Sequence, residues 1–344
     1  MQHKPDTTDQ TILDRIQQSV PLTAEPYGQI AASIGIATAD LVRRLDRLRR
    51  PGGLIRQISA IFDARMLGYQ QTLCALAVPP ERLSEVGAFI ASHPGVSHCY
   101  SRRHEVNLWF TLAVSPDSTL GLEGTVRAMA DRVEPTRQYI LPTLERYKLR
   151  VNFPQRRTPR QDQSASAGNR PKPAEDGEPT PLQVRCIRAL QQDLPTQPQP
   201  FDKLAESAGV PLSRLLREAA DFLRRGWMRR YAAVLYHRRA GARANVLVAW
   251  RVADGWEDQA GKWLARSPHV SHCYRRPAAE DWPRTVYTMV HALSAEQARQ
   301  EVARLAQNEL LLDHVQLWTQ EEYKKQRIKL FTPDEAEWEH ALLA

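Results

Sequence analysis

The pentapeptide Val-Ser-His-Cys-Tyr occurs twice, at residues 96–100 and 270–274. It does not recur alone. GLIRQISAIF, starting at Gly53, matches GWMRRYAAVL, starting at Gly226, at a shift of 173. The pentapeptide follows at a shift of 174, and FTLAV at 110–114 parallels YTMVH at 287–291 at a shift of 177. Three blocks in one order with a slowly growing offset mark a duplication carrying small insertions. Whatever one half folds into, the other must fold into as well.

The seam between the halves is visible in composition. Residues 154–180 hold five prolines and no Ile, Leu, Val, Met or aromatic residue. Such a stretch cannot bury enough apolar surface to offset its ordering entropy, so it reads as a flexible linker. In the first half, Ile12, Leu13, Ile16 and Val20, then Ile30, Ala31 and Ile34, then Leu41, Val42, Leu45 and Leu48 fall at helical spacing. Gly52 and Gly53 close the third helix, and Gly226 closes the corresponding helix of the second half. Three helices and a short wing make a winged helix-turn-helix. The remainder of each half reads strand, helix, strand, strand, helix, strand.

The expected fold class is therefore α+β, a tandem repeat of a winged helix-turn-helix plus a ferredoxin-like (βαββαβ) domain. The boundaries read as 1–57 and 58–153, a linker over 154–180, then 181–229 and 230–344. ERYKLRVNF (145–153) and EEYKKQRIKLF (321–331) read as the last strand of each ferredoxin-like domain, with their basic residues at the surface.

Lys plus Arg exceed Asp plus Glu by 47 − 39 = 8, which calls for an anionic partner. No stretch approaches the ~20 apolar residues of a membrane helix, and the N-terminus lacks the basic start and apolar run of a signal peptide. Four scattered cysteines make neither a disulfide framework nor a CxxC zinc motif, so the chain is expected in the cytoplasm with no metal site of its own. There is no glycine-rich dinucleotide fingerprint.

The pairing of helix-turn-helix and ferredoxin-like domains resembles the Lrp/AsnC regulators. Four longer motifs are more particular: ISAIFDARMLGY, HPGVSHCYSRRHEVNLWFTL, YHRRAGARANVLVAWRV and VSHCYRRPAAEDWPRTVYTMVHAL. Together they resemble the two subunits of the siroheme decarboxylases, here fused through the linker, over nearly the whole chain. The resemblance implies a carboxy-lyase that removes two acetate carboxyls from siroheme to give 12,18-didecarboxysiroheme, in haem d1 biosynthesis or in an alternative route to haem, the fused chain favouring the haem d1 branch. The reaction is redox-neutral, so no cofactor is expected, and the siroheme iron arrives with the substrate. An Lrp/AsnC-type DNA-binding regulator and a non-catalytic tetrapyrrole sensor are the competing readings. DNA is the weaker partner, because Ala37 to Asp40 and Pro211 to Ser213 offer a poor base-reading set.

A substrate with eight carboxylates calls for arginines, whose rigid fork binds a carboxylate bidentately. Arg65, Arg238, Arg239, Arg275 and Arg276 flank the matched strands, with Arg102 beside the first pentapeptide. Proton transfer calls for histidine. Aligning Gly68 with Gly241 places His237 opposite Ala64, so only the second half has a histidine there; His237 is the leading acid and His291 the second candidate. His98, Tyr100, His272 and Tyr274 are kept in both halves and are assigned to substrate binding, with Trp250 as a stacking surface. Strict alternation puts Val, His and Tyr of each pentapeptide on one strand face and Cys on the other. The halves are expected to pair as an internal pseudo-dimer, and copies of the chain to associate further.

Overall fold

The structure is a computed structural model, and it describes residues 5–149, 177–236 and 244–343. The expected linker lies outside the described residues except for 177–180. The described chain divides into two compact units: a helical one of residues 5–69, 177–236 and 329–332, and a sheet one comprising the rest.

In the helical unit the first repeat comprises α1 (Thr7–Gln18), α2 (Pro26–Ile34), α3 (Thr38–Arg49) and β1 (Ile55–Phe62). The second comprises α6 (Pro181–Leu190), α7 (Phe201–Ala208), α8 (Leu212–Arg224) and β7 (Met228–Leu235). Asp6 and Thr180 start α1 and α6 with reciprocal capping boxes to Asp9 and Gln183. β1 and β7 pair antiparallel with Ser59 opposite Ala232, residues that are themselves repeat equivalents, so the pseudo-two-fold axis passes through that pair. This corrects the expected boundaries. Residues 58–69 and 230–236 stay with the helices, because the two repeated strands pair with each other and join no ferredoxin-like sheet.

Arg44, Arg47 and Arg49 of α3 are tied to carboxylates of the unit, whereas Arg43 stays exposed. Arg44 bridges Asp6, Asp9 and Asp40 at 2.8, 2.9 and 3.1 Å, Arg47 adds a second contact to Asp9 at 2.9 Å, and Asp9 is fully buried. Arg49 pairs with Asp193 of the second repeat. These carboxylates neutralise much of the basic charge of α3 within the unit.

The sheet unit opens with β2 (Gln70–Ala77), α4 (Leu83–Ser92), β3 (Val96–Arg102), β4 (Leu108–Val114), α5 (Gly121–Val133) and β5 (Arg137–Pro142). Its second repeat is β8 (Ala244–Val252), α9 (Glu257–Leu264), β9 (Val270–Arg275), β10 (Val286–Ala292), α10 (Ala295–Leu305) and β11 (Leu311–Lys325). Each gives the ferredoxin-like sheet order, β5-β2-β4-β3 and β11-β8-β10-β9. Helices cover one face of each sheet over separate apolar cores. The bare faces pack on each other through a third core that includes Ala75, Trp109, Leu141, Ala249, Tyr287 and Leu317.

The late strands do not end their own domains. β6 (Glu145–Leu149) leaves the first half and pairs with β9, while the far end of β11 leaves the second half and pairs with β3. Each crossing strand is fastened in the same way. Tyr147 lies over Gly261 and Tyr323 over Gly87; a Cβ on either glycine would sit 2.1 or 2.5 Å from the ring. Lys148 Nζ donates to Ser267 O at 2.7 Å and Lys324 Nζ to His93 O at 2.8 Å, just beyond the ends of α9 and α4. These lysines are half-buried fasteners, not surface charge. The C-terminal helix α11 (Asp334–Leu343) docks on the first ferredoxin-like domain through Glu335, Trp338 and Glu339.

Candidate active site between the two sheets

The pentapeptides do not alternate as the sequence suggests. In both, the ladder slips by one residue at the serine: Val96 faces Leu112 but His98 faces Thr111, and Val270 faces Val290 but His272 faces Met289. Such a bulge places two residues opposite one and reverses the parity of the strand. Valine and cysteine consequently share the helix-side core, whereas histidine and tyrosine turn to the inter-sheet side. Sγ of Cys99 and Cys273 lies near Gly87 O and Gly261 O, and burial pushes the Cys99 thiol up to about 12.

His98, Tyr100 and Arg102 of β3 correspond to His272 and Tyr274 of β9 and Arg276 just beyond it, and the two sets are linked through the charge that His98 exerts on His272. Burial lowers His272 to about 4, and the neighbouring charges of His291 and His98 push in the same direction. His291 is lowered by burial and by Lys325, which lies opposite His98 in the ladder. Three histidines and a lysine therefore share one electrostatic neighbourhood. Ser97 Oγ and Ser271 Oγ stand 3.0 and 2.7 Å from Nδ1 of their adjacent histidines.

His291 has no histidine counterpart. The register pairs Tyr287 with Tyr274 and Trp109 with Tyr100, so Trp109 corresponds to Tyr287, Thr111 to Met289 and Ala113 to His291. The FTLAV–YTMVH match is thus off by one residue.

Several expected site residues go elsewhere. Trp250 is 0% exposed in the helix-side core and donates Nε1–H to Thr288 Oγ1 at 2.8 Å, so it presents no face to a ligand. Arg275 pairs with Asp258 of α9 at 3.4 Å, and that carboxylate also accepts from Tyr147. Arg276 is 8% exposed; its Nη1 donates to Leu141 O of the other half, and its guanidinium lies against Tyr274 and Tyr287. It fastens strands and has no surface for substrate. Arg102 is its twin at 4% exposure, donating to Leu317 O at 2.8 Å, and burial lowers it to about 10. Arg65 sits in the helical unit beside Asp63 at 3.7 Å. His237, Arg238 and Arg239 lie outside the described residues.

Lys325 and the two serines are the members that sequence reasoning missed. The serines were legible as neighbours of both repeated histidines. Lys325 was not, because nothing local reveals that its strand crosses to the first half.

The AsnC-like ligand binding domain model matches residues 66–148 and 239–324, and the siroheme decarboxylase NirDL-like HTH domain model matches residues 9–56. A siroheme decarboxylase from Hydrogenobacter thermophilus is 32% identical over 97% of this chain and 98% of its own length. The chain belongs to the siroheme decarboxylase family. The siroheme decarboxylase NirDL subunit of Paracoccus denitrificans is 30% identical over 87% of this chain and 89% of its own. A crystal structure of the siroheme decarboxylase NirDL with an iron-uroporphyrin III analogue matches at a TM-score of 0.79 and 29% identity, covering 97% of this chain and 98% of that one. Like that single-chain decarboxylase, this family member carries both repeats in one polypeptide. Among the described residues no helix is long and apolar enough to cross a membrane.

Proposed function

We propose that this chain is a cytoplasmic carboxy-lyase that removes two acetate carboxyls from siroheme, giving 12,18-didecarboxysiroheme in haem d1 biosynthesis. The observation that carries the reading is the full-length likeness to a decarboxylase solved with an iron-uroporphyrin III analogue. The chemistry of the histidine cluster supports it. Each step consumes one proton net and releases one CO2: the ring carbon takes up a proton, the bond to the carboxylate breaks to leave an exocyclic methylene, the methylene takes up a proton to become methyl, and the ring carbon gives its proton back. No electron leaves the system.

His291 and His237 are the proton-transfer residues in this reading. Burial and Lys325 hold His291 below its ordinary value. The carboxylates of a bound tetrapyrrole oppose both influences, so protonation of His291 is coupled to substrate binding. His98, Tyr100, His272, Tyr274, Arg238 and Arg239 are the substrate-binding set, and Lys325 joins them. Anaerobic incubation of the purified protein with siroheme, followed by mass spectrometry, tests the reading. A product lighter by two CO2 is expected; siroheme of unchanged mass overturns it.

A further inference from the structure

We propose that Nε2 of His272 is an axial ligand to the iron of the bound macrocycle, and that Ser271 prepares it. The inference rests on the substrate class given above and adds to it a named ligand and a positioning residue. Ser271 is the bulged residue of β9, and the bulge swings its hydroxyl back onto the histidine that follows. Its Oγ stands 2.7 Å from Nδ1 of His272 and 3.4 Å from Met289 O. With the hydroxyl proton given to Met289 O, which can only accept, Oγ is free to accept from Nδ1–H, and this is the tautomer we assign. The imidazole is thereby held in the tautomer with a lone pair on Nε2. Metal-binding histidines are oriented in this way, with the distal N–H given to an acceptor that fixes the ring and raises its basicity.

Two further observations agree. Nε2 of His272 makes no hydrogen bond among the described residues and, unlike Nε2 of the enclosed His93, is not sealed from solvent. The equivalent arrangement in the first half is ambiguous: Ser97 Oγ is shared between His98 Nδ1 at 3.0 Å and Thr111 Oγ1 at 2.7 Å, where either hydroxyl can donate. Met289 replaces that threonine in the second half and leaves Ser271 only a carbonyl to donate to. The two halves thus divide the work, with one histidine prepared for iron and His291 available for protons.

The test uses full-length protein, iron-uroporphyrin and metal-free uroporphyrin. Quenching of tryptophan fluorescence by either probe reports macrocycle binding; the Soret band and electron paramagnetic resonance of the iron probe report ligation. In the wild type an imidazole-ligated spectrum is expected. H272A should still bind metal-free uroporphyrin, lose the ligated spectrum and regain it on adding free imidazole. S271A should keep its far-ultraviolet circular dichroism and weaken iron binding by about 10- to 100-fold, with metal-free binding unchanged. H98A should weaken binding of both probes alike and still give the ligated spectrum once saturated with the iron probe. Retention of that spectrum in H272A, or its loss in H98A alone, overturns the assignment while leaving the substrate class standing. Failure of the wild type to bind either probe overturns both.

Discussion

The two ferredoxin-like repeats are built alike where they hold together and differently where chemistry is expected. Arg102 and Arg276 reach across to backbone carbonyls of the opposite half, Tyr323 and Tyr147 cover a glycine, and Lys324 and Lys148 tie off a helix end. Against this shared scaffold His291 stands where the first half has Ala113, and Met289 where it has Thr111. The fasteners cannot diverge without loosening the fold, whereas His291 is not one of them. In the function proposed above, this asymmetry assigns the working face to the second half.

The contrast is most exposed at His291. Replacing a proton-transfer residue removes a contribution of about 10²- to 10⁴-fold, so H291A should lose decarboxylation on that scale while binding uroporphyrin normally. A variant retaining full activity would remove the functional meaning of the asymmetry. The shared scaffold gives a smaller and symmetric effect. G261A and G87A each drive a methyl group into a tyrosine ring, and overpacking of this kind costs about 1–3 kcal/mol. Similar drops in urea midpoint are expected for the two variants; a large effect in one half only would show that the two crossings are not equivalent.

The smallest effect is in pH. His93 in the first half and His272 in the second are both lowered by burial to about 4 from 6.5, so they take up protons more readily when unfolded. The stability they contribute is full above about pH 6.5 and is lost as pH falls towards about 4. Glu335, raised by burial to about 7 from 4.5, runs the other way: its contribution is full below 4.5 and is lost as pH rises through 7. Denaturation by urea at about pH 5 and about pH 7 should show lower stability in acid, and E335Q should widen the difference. A narrower difference in E335Q would contradict the opposed signs.

The duplication, both domain types and the order of elements were legible because they rest on spacing repeated within one chain. The pentapeptide faces were not, since alternation assumes an unbroken ladder and one bulged serine reverses every residue after it. Trp250 illustrates a second limit: an aromatic residue on a strand looks the same in sequence whichever face it takes. The crossing strands mark a third. ERYKL and EEYKK have the composition of an edge strand in either half, and only the glycines under Tyr147 and Tyr323 show which half receives them. The inward pairing of α3 was hidden for a related reason, because most of the carboxylates that neutralise it come from α1 and from the second repeat.

The exchange of strands has a bearing on how such a chain can evolve. In an assembly of identical subunits, every substitution is copied onto both sides of the symmetry axis. Here each half completes the other's sheet from within one polypeptide, so the partnership does not dilute away. A histidine can be present on one side and absent on the other in every molecule. Covalent fusion has made lopsidedness heritable.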